Sequence, residues 1–377
     1  MIHWSPQQDQ AIRAVRAWLA DPDGPQIFRL FGYAGTGKTT LAQELANAVK
    51  GLVLYATFTG KAALVLRKKG CEDASTIHSL IYKVEVDPVT GEAQFILNQE
   101  SALSDCALLI VDEVSMVPEI LGRDLMTFGK RILVLGDPFQ LPPIEGEGFF
   151  INSQPDMMLT EIHRQALDNP IIRMSMDIRE GRRLQPGRHG DSLILRGDRV
   201  DRQEMRSHVM GADQLICGMN KSRMAFNRRI RTIKGLLDPA APTYPSIGDR
   251  LICLRNKHDE GLFNGGLWDC QDISREFTKA GDPFYEIRVG SLDEERDPQT
   301  VKVLPHFFDG TERGLHWKVR RGYNEFTFGW AITCHKAQGS QWDNPIIFDE
   351  SHVFREHALN WIYTAITRAA ERVTVIL

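Results

Sequence analysis

The pattern that most constrains this chain lies at residues 32–39, which read Gly-Tyr-Ala-Gly-Thr-Gly-Lys-Thr. An apolar run precedes it at residues 27–31, and a segment with helical spacing of apolar residues follows at 40–46. This order of strand, glycine-rich loop and helix is typical of a phosphate-binding loop. Glycines let such a loop bend closely around a phosphate, and the following helix adds the positive end of its dipole. The pattern therefore predicts a nucleotide site.

The positions of this loop have distinct expected roles. Lys38 is expected to reach the β- and γ-phosphates of ATP, and the Thr39 hydroxyl is expected to hold Mg²⁺. The loop residues expected to surround the nucleotide are Gly32, Gly35, Thr36, Gly37, Lys38, Thr39 and Thr40. The alternative, a glycine-rich turn with an incidental lysine, leaves the flanking strand and helix unexplained.

Length and composition are those of a globular protein. The 377 residues are enough for two or three domains, and 42% of them are hydrophobic. No apolar run approaches the roughly 20 residues of a membrane span, and the first residues do not resemble a secretory leader. We therefore expect a soluble protein of a bacterial or phage-infected cytoplasm, with no membrane partner. The six cysteines are scattered, which indicates reduced thiols rather than a zinc site or disulfides.

Positive charge is local in this sequence. The net charge of −4 argues against wholesale coating of a nucleic acid, but a protein that grips a strand in a groove needs positive charge only there. Arginines and lysines cluster at residues 179–189 and again at 221–234. The alternative for either cluster is a solvated helix face.

Strands and helices alternate through the first part of the chain. Residues 51–57, 107–111 and 131–135 indicate buried strands, and the second of these ends in Asp112 and Glu113. Alternation of this kind, with polar residues where strands end, predicts an open, doubly wound α/β domain. Between residues 81 and 99, two alternating segments flank a turn sequence, which predicts a β-hairpin.

A second domain is expected to begin near residue 159. A linker is indicated at 239–245, and short alternating strands at 248–304 predict a small barrel. The apolar residues 326–332 predict one further strand, and residues 372–377 predict the last. The sequence therefore predicts a second α/β domain with a small β-domain inserted in it.

Two acidic residues and a glutamine are the expected partners of the phosphate loop. Asp112 lies at the end of a strand, where it can reach Mg²⁺, and Glu113 beside it can activate the attacking water. Gln140, after the next strand, can sense the γ-phosphate; its alternative is a loop amide that faces solvent. Acidic pairs after apolar runs are common, so this pair indicates a nucleotide site only because a phosphate loop precedes it.

Hydrolysis of a triphosphate also needs positive charge on the transferred phosphoryl group. Arginines supplied across a cleft can contribute several powers of ten in rate. Arg164 and Arg368 are candidates, but the residues alone do not distinguish them from solvated surface arginines.

The chain resembles the superfamily 1 helicases. The matching blocks occur in the order of that superfamily's motifs, at residues 5–12, 32–39, 57–63, 76–78, 111–116, 135–143, 159–165, 333–340 and 363–369. The wording of 333–340 and of 248–265 is similar to the B-type branch that includes RecD and the phage helicase Dda. The resemblance covers nearly the whole chain.

This resemblance implies a 5′-to-3′ DNA helicase with two RecA-like motor domains. The implied division is a first domain at 1–158 with a hairpin insert near 81–100, a second at 159–242 and 320–377, and an SH3-like barrel at 243–319. The implied partners are single-stranded DNA and junctions of single- and double-stranded DNA, with replication or recombination proteins as further candidates. The hairpin occupies the place of a strand-separating pin; a purely structural hairpin is the alternative.

The resemblance also assigns roles to individual residues. It places Gln8 on adenine, although the residue alone indicates a polar helix start, and it places Arg164 and Arg368 as arginine fingers. The residues it places along DNA are Thr59, Lys61, Thr76, His78 and Pro142 in the first domain and Thr333, His335, Lys336 and Ser340 in the second. Their alternatives are helix caps for the threonines, a satisfied buried histidine and solvated lysines.

One position departs from the family, because Phe58 stands where related helicases often have proline. We expect Phe58 to stack on a base, an interaction of roughly 1–3 kcal/mol that tolerates any sequence; a core phenylalanine is the alternative. Three other functions stay open for the chain: a nucleotide-gated DNA-binding module without unwinding, a phosphoryl-transfer kinase, and an RNA helicase.

Overall fold

The computed structural model describes residues 3–86, 93–143, 148–161, 168–257 and 260–377. The turn of the expected hairpin and Arg164 lie outside these residues. The β-strands are β1 Ile27–Gly32, β2 Val53–Thr57, β3 Ser75–Thr76, β4 Tyr82–Val86, β5 Ala93–Leu97, β6 Leu108–Asp112, β7 Ile132–Gly136, β8 Met157–Leu159, β9 Gly187–His189, β10 Ser192–Leu195, β11 Gln214–Cys217, β12 Arg250–Cys253, β13 Leu267–Phe277, β14 Pro283–Ser291, β15 Gln299–Val303, β16 Phe326–Phe328, β17 Ala331–Thr333, β18 Pro345–Phe348 and β19 Thr374–Ile376.

The first α-helix of the described residues precedes β1, and the others lie between strands. They are α1 Pro6–Ala20, α2 Lys38–Asn47, α3 Gly60–Lys68, α4 Ile77–Ile81, α5 Glu119–Met126, α6 Pro170–Arg179, α7 Arg202–Gly211, α8 Asn220–Lys234, α9 His306–Asp309, α10 Trp317–Arg321, α11 Cys334–Ala337 and α12 Ala358–Ile366. The first begins as the sequence predicts, with Ser5 as its cap and Pro6 at its first position; Ser5 and Gln8 form a capping box. No described helix is long and apolar enough to cross a membrane.

The first lobe is built on a six-stranded parallel sheet in the order β3-β2-β6-β7-β1-β8, with helices α1–α5. Every residue of β6 and β7 is buried, because helices cover both faces of the sheet. Two separate apolar clusters lie on these faces, one including Phe31 and the other Leu30. The phosphate loop follows the carboxyl end of β1, which pairs in parallel with β7 on one side and β8 on the other. The loop therefore emerges at the carboxyl edge of the sheet, beside the ends of these strands.

The second lobe has its own sheet, in the order β17-β11-β18-β19-β10-β9. All its pairs are parallel except the edge pair of β9 with β10. Helices α6 and α12 pack on it through one apolar cluster, which also takes in Leu141 of the first lobe. The mixed α/β architecture with parallel sheets agrees with the fold class that the sequence predicts.

Five antiparallel strands form a third sheet, in the order β15-β14-β13-β12-β16, which we call the accessory sheet. Its core is rich in aromatic residues. The prediction of a single strand at residues 326–332 is wrong. The chain forms two strands there, β16 in the accessory sheet and β17 in the second lobe. The change of sheet occurs at Gly329, where an added Cβ would lie 3.0 Å from the backbone of Leu251.

A smaller antiparallel pair, β4 with β5, extends from the first lobe. Val84 and Phe95 lie on its surface, with side chains 57% and 67% exposed. The six cysteines of the chain are all free and buried. Burial explains their pattern, since they serve as small apolar residues within the cores.

Candidate nucleotide and nucleic-acid site

The phosphate loop has the backbone that its glycines allow. Gly35 and Gly37 adopt φ angles of 79° and 78°, a left-handed conformation that favours glycine. Gly32 is constrained by space instead, because an added Cβ there would lie 2.7 Å from Thr36 Oγ1. Helix α2 begins directly at Lys38, so its free N–H groups face the loop. The predicted loop residues therefore form one concave, N–H-lined turn.

Lys38 lies across this turn. Its Nζ donates hydrogen bonds to the carbonyl oxygens of Gly32, at 2.6 Å, and Tyr33, at 3.0 Å. The lysine therefore shares the concavity with the N–H groups, where the phosphates of a nucleotide would displace or join these bonds.

Thr39 and Asp112 are brought together as the sequence predicts. Thr39 Oγ1 donates a hydrogen bond of 3.0 Å to Asp112 Oδ2, and the other carboxylate oxygen accepts one of 2.8 Å from the Glu113 N–H. Burial, and then the nearby Glu113, raise the pKa of Asp112 above its ordinary value. A hydroxyl and a carboxylate facing one cavity suit Mg²⁺, which usually takes one or two protein oxygens together with phosphates and water. Among the described residues there is no group of three or more metal-ligating His, Cys, Asp or Glu side chains.

Glu113 has a left-handed backbone, with φ 54° and ψ 46°. This conformation is uncommon for a residue other than glycine and costs of order 1–3 kcal/mol, and such strain concentrates at functional sites. It turns the carboxylate toward the second lobe, where Glu113 Oε1 lies 3.9 Å from Arg368 Nη1.

Arg368 reaches the site from the other lobe. It is buried, and it donates to the carbonyl oxygens of Thr364, at 3.1 Å, and Ser340, at 3.4 Å. A cavity of about 560 Å³ lies between the lobes, lined by the phosphate loop, Asp112 and Glu113 on one side and Arg368 on the other. The phosphate loop and the acidic pair of one lobe therefore face a guanidinium of the other.

Gln140 also lines this cavity, and the alternative of a solvent-facing amide is wrong. It is 8% exposed, and its Oε1 accepts a long hydrogen bond of 3.4 Å from Ser115 Oγ. Gln8 lies on the other flank of the loop, buried, with its Nε2 donating to the Thr36 carbonyl at 3.0 Å. Because Gln8 also closes the capping box of α1, it acts as a helix-start residue and as a loop contact at once.

The first-lobe residues assigned to DNA, apart from Pro142, lie near the first residues of helices α3 and α4. Thr59 caps α3 and Thr76 caps α4, which is the helix-cap alternative given above, and their hydroxyls accept hydrogen bonds from backbone N–H groups. The Phe58 ring is half-buried against the first-lobe core and lies 5.9 Å from the ring of His78. Lys61 is not solvated, since it forms an ion pair with Asp293, which lies between β14 and β15; we call the accessory sheet together with the residues that connect its strands the accessory region.

The second-lobe residues assigned to DNA lie around α11. Thr333 caps this helix, and Lys336 donates to Asn264 Oδ1 at 2.7 Å; burial lowers the pKa of Lys336. His335 bonds the carbonyl of Pro142 in the first lobe, and burial lowers the pKa of its imidazole. Ser340 Oγ is buried without a hydrogen-bond partner in the described part of the chain.

Several of these residues meet at one junction. An added Cβ on Gly339 would lie 3.0 Å from Thr59 Oγ1, and one on Gly265 would lie 3.7 Å from the Lys61 Cβ and 4.0 Å from the Lys336 carbonyl. The first lobe, the second lobe and the accessory region thus converge at the predicted DNA residues, whereas Thr76 and His78 lie further along the first lobe beside Phe58.

Sequence comparison identifies the family. A family model described as an AAA domain matches residues 3–196, just over half of the chain, and one described as a UvrD-like helicase C-terminal domain matches residues 328–376. The ATP-dependent RecD2 DNA helicase of Deinococcus radiodurans is 30% identical over 373 residues. The chain belongs to the RecD/Pif1-like superfamily 1B helicases. The match to RecD2 includes 93% of this chain but only 46% of the relative. The chain therefore spans about half the length of that protein.

Pif1 helicases match this chain over most of both lengths, and their solved structures have a similar fold. The ATP-dependent DNA helicase Pif1 of Campylobacter jejuni is 25% identical, over 90% of this chain and 86% of its own length. A solved structure of two coordinating Pif1 helicases at forked double-stranded DNA matches with TM-score 0.56 and 19% identity, covering 99% of this chain and 92% of that one. Pif1 of Candida albicans matches with TM-score 0.53 and 18% identity, covering 100% and 94%. At such identities the solved structures show a shared fold.

Two residues of the cavity region were not singled out from the sequence. Asp137 is 3% exposed, and Tyr363 donates a hydrogen bond of 2.6 Å to its carboxylate. Asp112 is the last residue of the buried strand β6, and Asp137 directly follows the buried strand β7, so the end of β7 carried a comparable signal that sequence reasoning could have used. Tyr363 carried no such signal, because its partners lie in the other lobe.

Proposed function

We propose that the chain is an ATP-dependent DNA helicase that moves 5′-to-3′ on single-stranded DNA and unwinds duplex. The observation that carries this proposal is the cavity between the lobes, where the phosphate loop faces Arg368. The names of the RecD2 and Pif1 relatives, which describe ATP-dependent DNA helicases, support it. The 5′-to-3′ direction rests on the family alone.

The hydrolytic step follows from the arrangement of these groups. Glu113 accepts a proton from the water that attacks the γ-phosphorus, and the bond from that phosphorus to the β–γ bridging oxygen breaks to leave ADP and phosphate. Lys38 and Arg368 supply positive charge to the phosphoryl group from opposite sides. Thr39 and Asp112 would hold Mg²⁺, which supplies further charge neutralisation on the phosphates. Hydrolysis then depends on the approach of the two lobes.

Movement along DNA follows from gripping residues on both lobes. Thr59, Lys61 and His78 would hold the strand on the first lobe, and Thr333 and Lys336 on the second. Opening and closing of the cleft shifts one grip relative to the other along the strand. We assign the two lobes as RecA-like motors and the accessory sheet as the SH3-like barrel, with Arg164 as a second arginine finger.

We assign the pair β4 and β5 as the pin that separates the strands. Its exposed apolar side chains, Val84 and Phe95, support this role, since an apolar surface can replace base stacking at a fork. Val84 and Phe95 are direct partners across the two strands, so they form one contiguous apolar surface and not two scattered exposed residues.

The test is unwinding of duplexes that carry either a 5′ or a 3′ single-stranded tail, with ATP and Mg²⁺. The proposal expects unwinding of the 5′-tailed duplex only, and none by Lys38→Ala. Unwinding only from the 3′ tail would contradict the direction. Hydrolysis without unwinding of either duplex would favour the DNA-binding ATPase, and a preference for RNA tails would favour an RNA helicase.

A further inference from the structure

The second lobe contacts two consecutive residues of the phosphate loop. Tyr363 Oη accepts a hydrogen bond of 2.9 Å from the Ala34 N–H and donates one of 2.6 Å to Asp137 Oδ2. The guanidinium of Arg179 lies 3.5 Å from the centre of the Tyr33 ring. One hydroxyl thus joins the loop, the end of β7 and helix α12, while a cation covers the neighbouring loop residue.

These contacts are firmly held. Tyr363 is completely buried, and burial together with Asp137 raises its pKa well above the usual value, so the hydroxyl keeps its proton and remains a donor. Its ring packs edge-on against Phe139 at 5.2 Å. Leaving a buried donor or acceptor unpaired is costly, so the Ala34 and Asp137 contacts are made whenever the lobes meet in this way.

The elements that carry the two residues pack against each other. Ile178 of α6 and Trp361 of α12 belong to one buried cluster, so Arg179 and Tyr363 move as parts of one body. Helix α12 is further joined to the first lobe, because Thr364 Oγ1 accepts from the Leu141 N–H at 2.7 Å. Arg368 follows within two residues of the end of this helix. The position of α12 therefore fixes both the loop contact and the arginine.

We propose that Tyr363 and Arg179 are positioning residues that form a clamp on the phosphate loop, through which closure of the lobes couples nucleotide binding to single-stranded DNA binding. The inference rests on the proposed function, since DNA must hold both lobes for closure to follow from its binding. Neither residue is placed on the reacting atoms; both act through the shape of the loop at Tyr33 and Ala34.

The experiment measures the Kd of a fluorescent, non-hydrolysable ATP analogue with and without saturating oligothymidylate. The wild-type protein is expected to bind the analogue roughly fivefold or more tightly with the oligonucleotide, a usual lower size for coupling between sites. In Tyr363→Phe and in Arg179→Lys this ratio falls to about one, because the affinity for the analogue is lost mainly when the oligonucleotide is bound. The double variant loses no more coupling than either single one, because both act on one loop.

The controls are Tyr323→Phe and Arg182→Lys, the same changes at residues away from the loop, and both retain the wild-type ratio. Thermal unfolding of each variant checks that the fold is kept. The clamp is overturned if the variants keep the wild-type ratio, if they lose affinity equally with and without DNA, or if the wild-type ratio is itself about one. Absence of DNA-stimulated hydrolysis in the wild-type protein overturns the proposed function instead, and the two failures are therefore distinguishable.

Discussion

At the scale of single residues, the two carboxylates at the end of β6 differ in their geometry. Asp112 is buried and bonded to Thr39, whereas Glu113 is held in a left-handed backbone that turns it toward Arg368. We propose the first carboxylate for a metal ion and the second for the attacking water. The position of both residues beside the phosphate loop could be predicted from the sequence, because they lie where a buried strand ends.

Glu113→Gln tests the second role. Removing the base should lower DNA-stimulated ATP turnover by about 100-fold or more, since general base catalysis contributes that much, and leave nucleotide affinity nearly unchanged. Turnover assays and analogue binding measure the two quantities. Glu119→Gln, at an exposed position on α5, is the matched control. Turnover in Glu113→Gln equal to that of the control would assign the base elsewhere.

His335 gives a prediction for pH. Burial lowers the pKa of its imidazole from 6.5, so the unfolded chain takes up this proton at a higher pH than the folded protein. Its contribution to stability is therefore complete above pH 6.5 and is lost as the pH falls below that value, with a slope of at most about 1.4 kcal/mol per pH unit. Urea unfolding between pH 5 and 7 should show a weaker pH dependence in His335→Gln than in the exposed control His352→Gln. Equal slopes in both variants would refute the assignment.

Other residue roles could not be predicted, because their partners are distant in sequence. Tyr363 and Asp137 are 226 positions apart, and only the packing of the two lobes brings them within hydrogen-bond distance. The same holds for Lys61 with Asp293, 232 positions apart, where the sequence favours either a DNA contact or a solvated side chain. The local sequence pattern indicates what kind of residue lies at a position, but only the folded arrangement shows which distant residue it contacts.

At the scale of elements, helix α8 shows how a charge pattern can mislead. The basic cluster at 221–234 indicates a nucleic-acid face or a solvated helix, but Arg231 is only 1% exposed. Its Nε bonds both oxygens of Asp249, at 2.9 and 3.0 Å, and its Nη1 bonds the Pro242 carbonyl at 2.6 Å. This side chain joins the second lobe to the accessory sheet. Of the remaining members of the cluster, Lys221, Arg228, Arg229 and Lys234 are exposed, and Arg223 is partly buried.

Asp249→Ala should therefore be strongly destabilising. Removing one partner of a buried ion pair leaves the other charge unpaired and typically costs about 3–5 kcal/mol. The free energy of unfolding in urea measures this cost, with Arg228→Ala on the exposed face of the same helix as the control. A cost below that of an ordinary surface substitution would mean that Arg231 finds other partners.

The main elements were predictable, and the chain's change of sheet at Gly329 was not. Strong apolar periodicity identifies α1, β1, β6 and β7, since buried strands and amphipathic helices differ in period. The strands β16 and β17 form one apolar run, so their separate membership depends on which neighbours pair with them.

At the scale of the whole molecule, three of the predicted DNA residues, Thr59, Lys61 and Lys336, lie where the two lobes and the accessory region meet. If phosphate contacts dominate the grip, the Kd for oligothymidylate should rise with salt, with a log–log slope of about 0.7 for each phosphate neutralised. Lys61→Gln should reduce that slope by about 0.7 if this lysine leaves Asp293 to meet the strand. An unchanged slope would mean that Lys61 serves the interface between the first lobe and the accessory region.

The central claim is that ATP is hydrolysed between two lobes by groups drawn from both, in response to DNA. Steady-state ATP turnover of the wild-type protein and of Arg368→Lys, each with and without single-stranded oligonucleotide, tests it most directly. We predict strong stimulation by oligonucleotide in the wild-type protein and a loss of about 10³-fold or more in the variant, the usual effect of an arginine finger. Turnover that ignores the oligonucleotide, or that survives the loss of Arg368, would contradict the account.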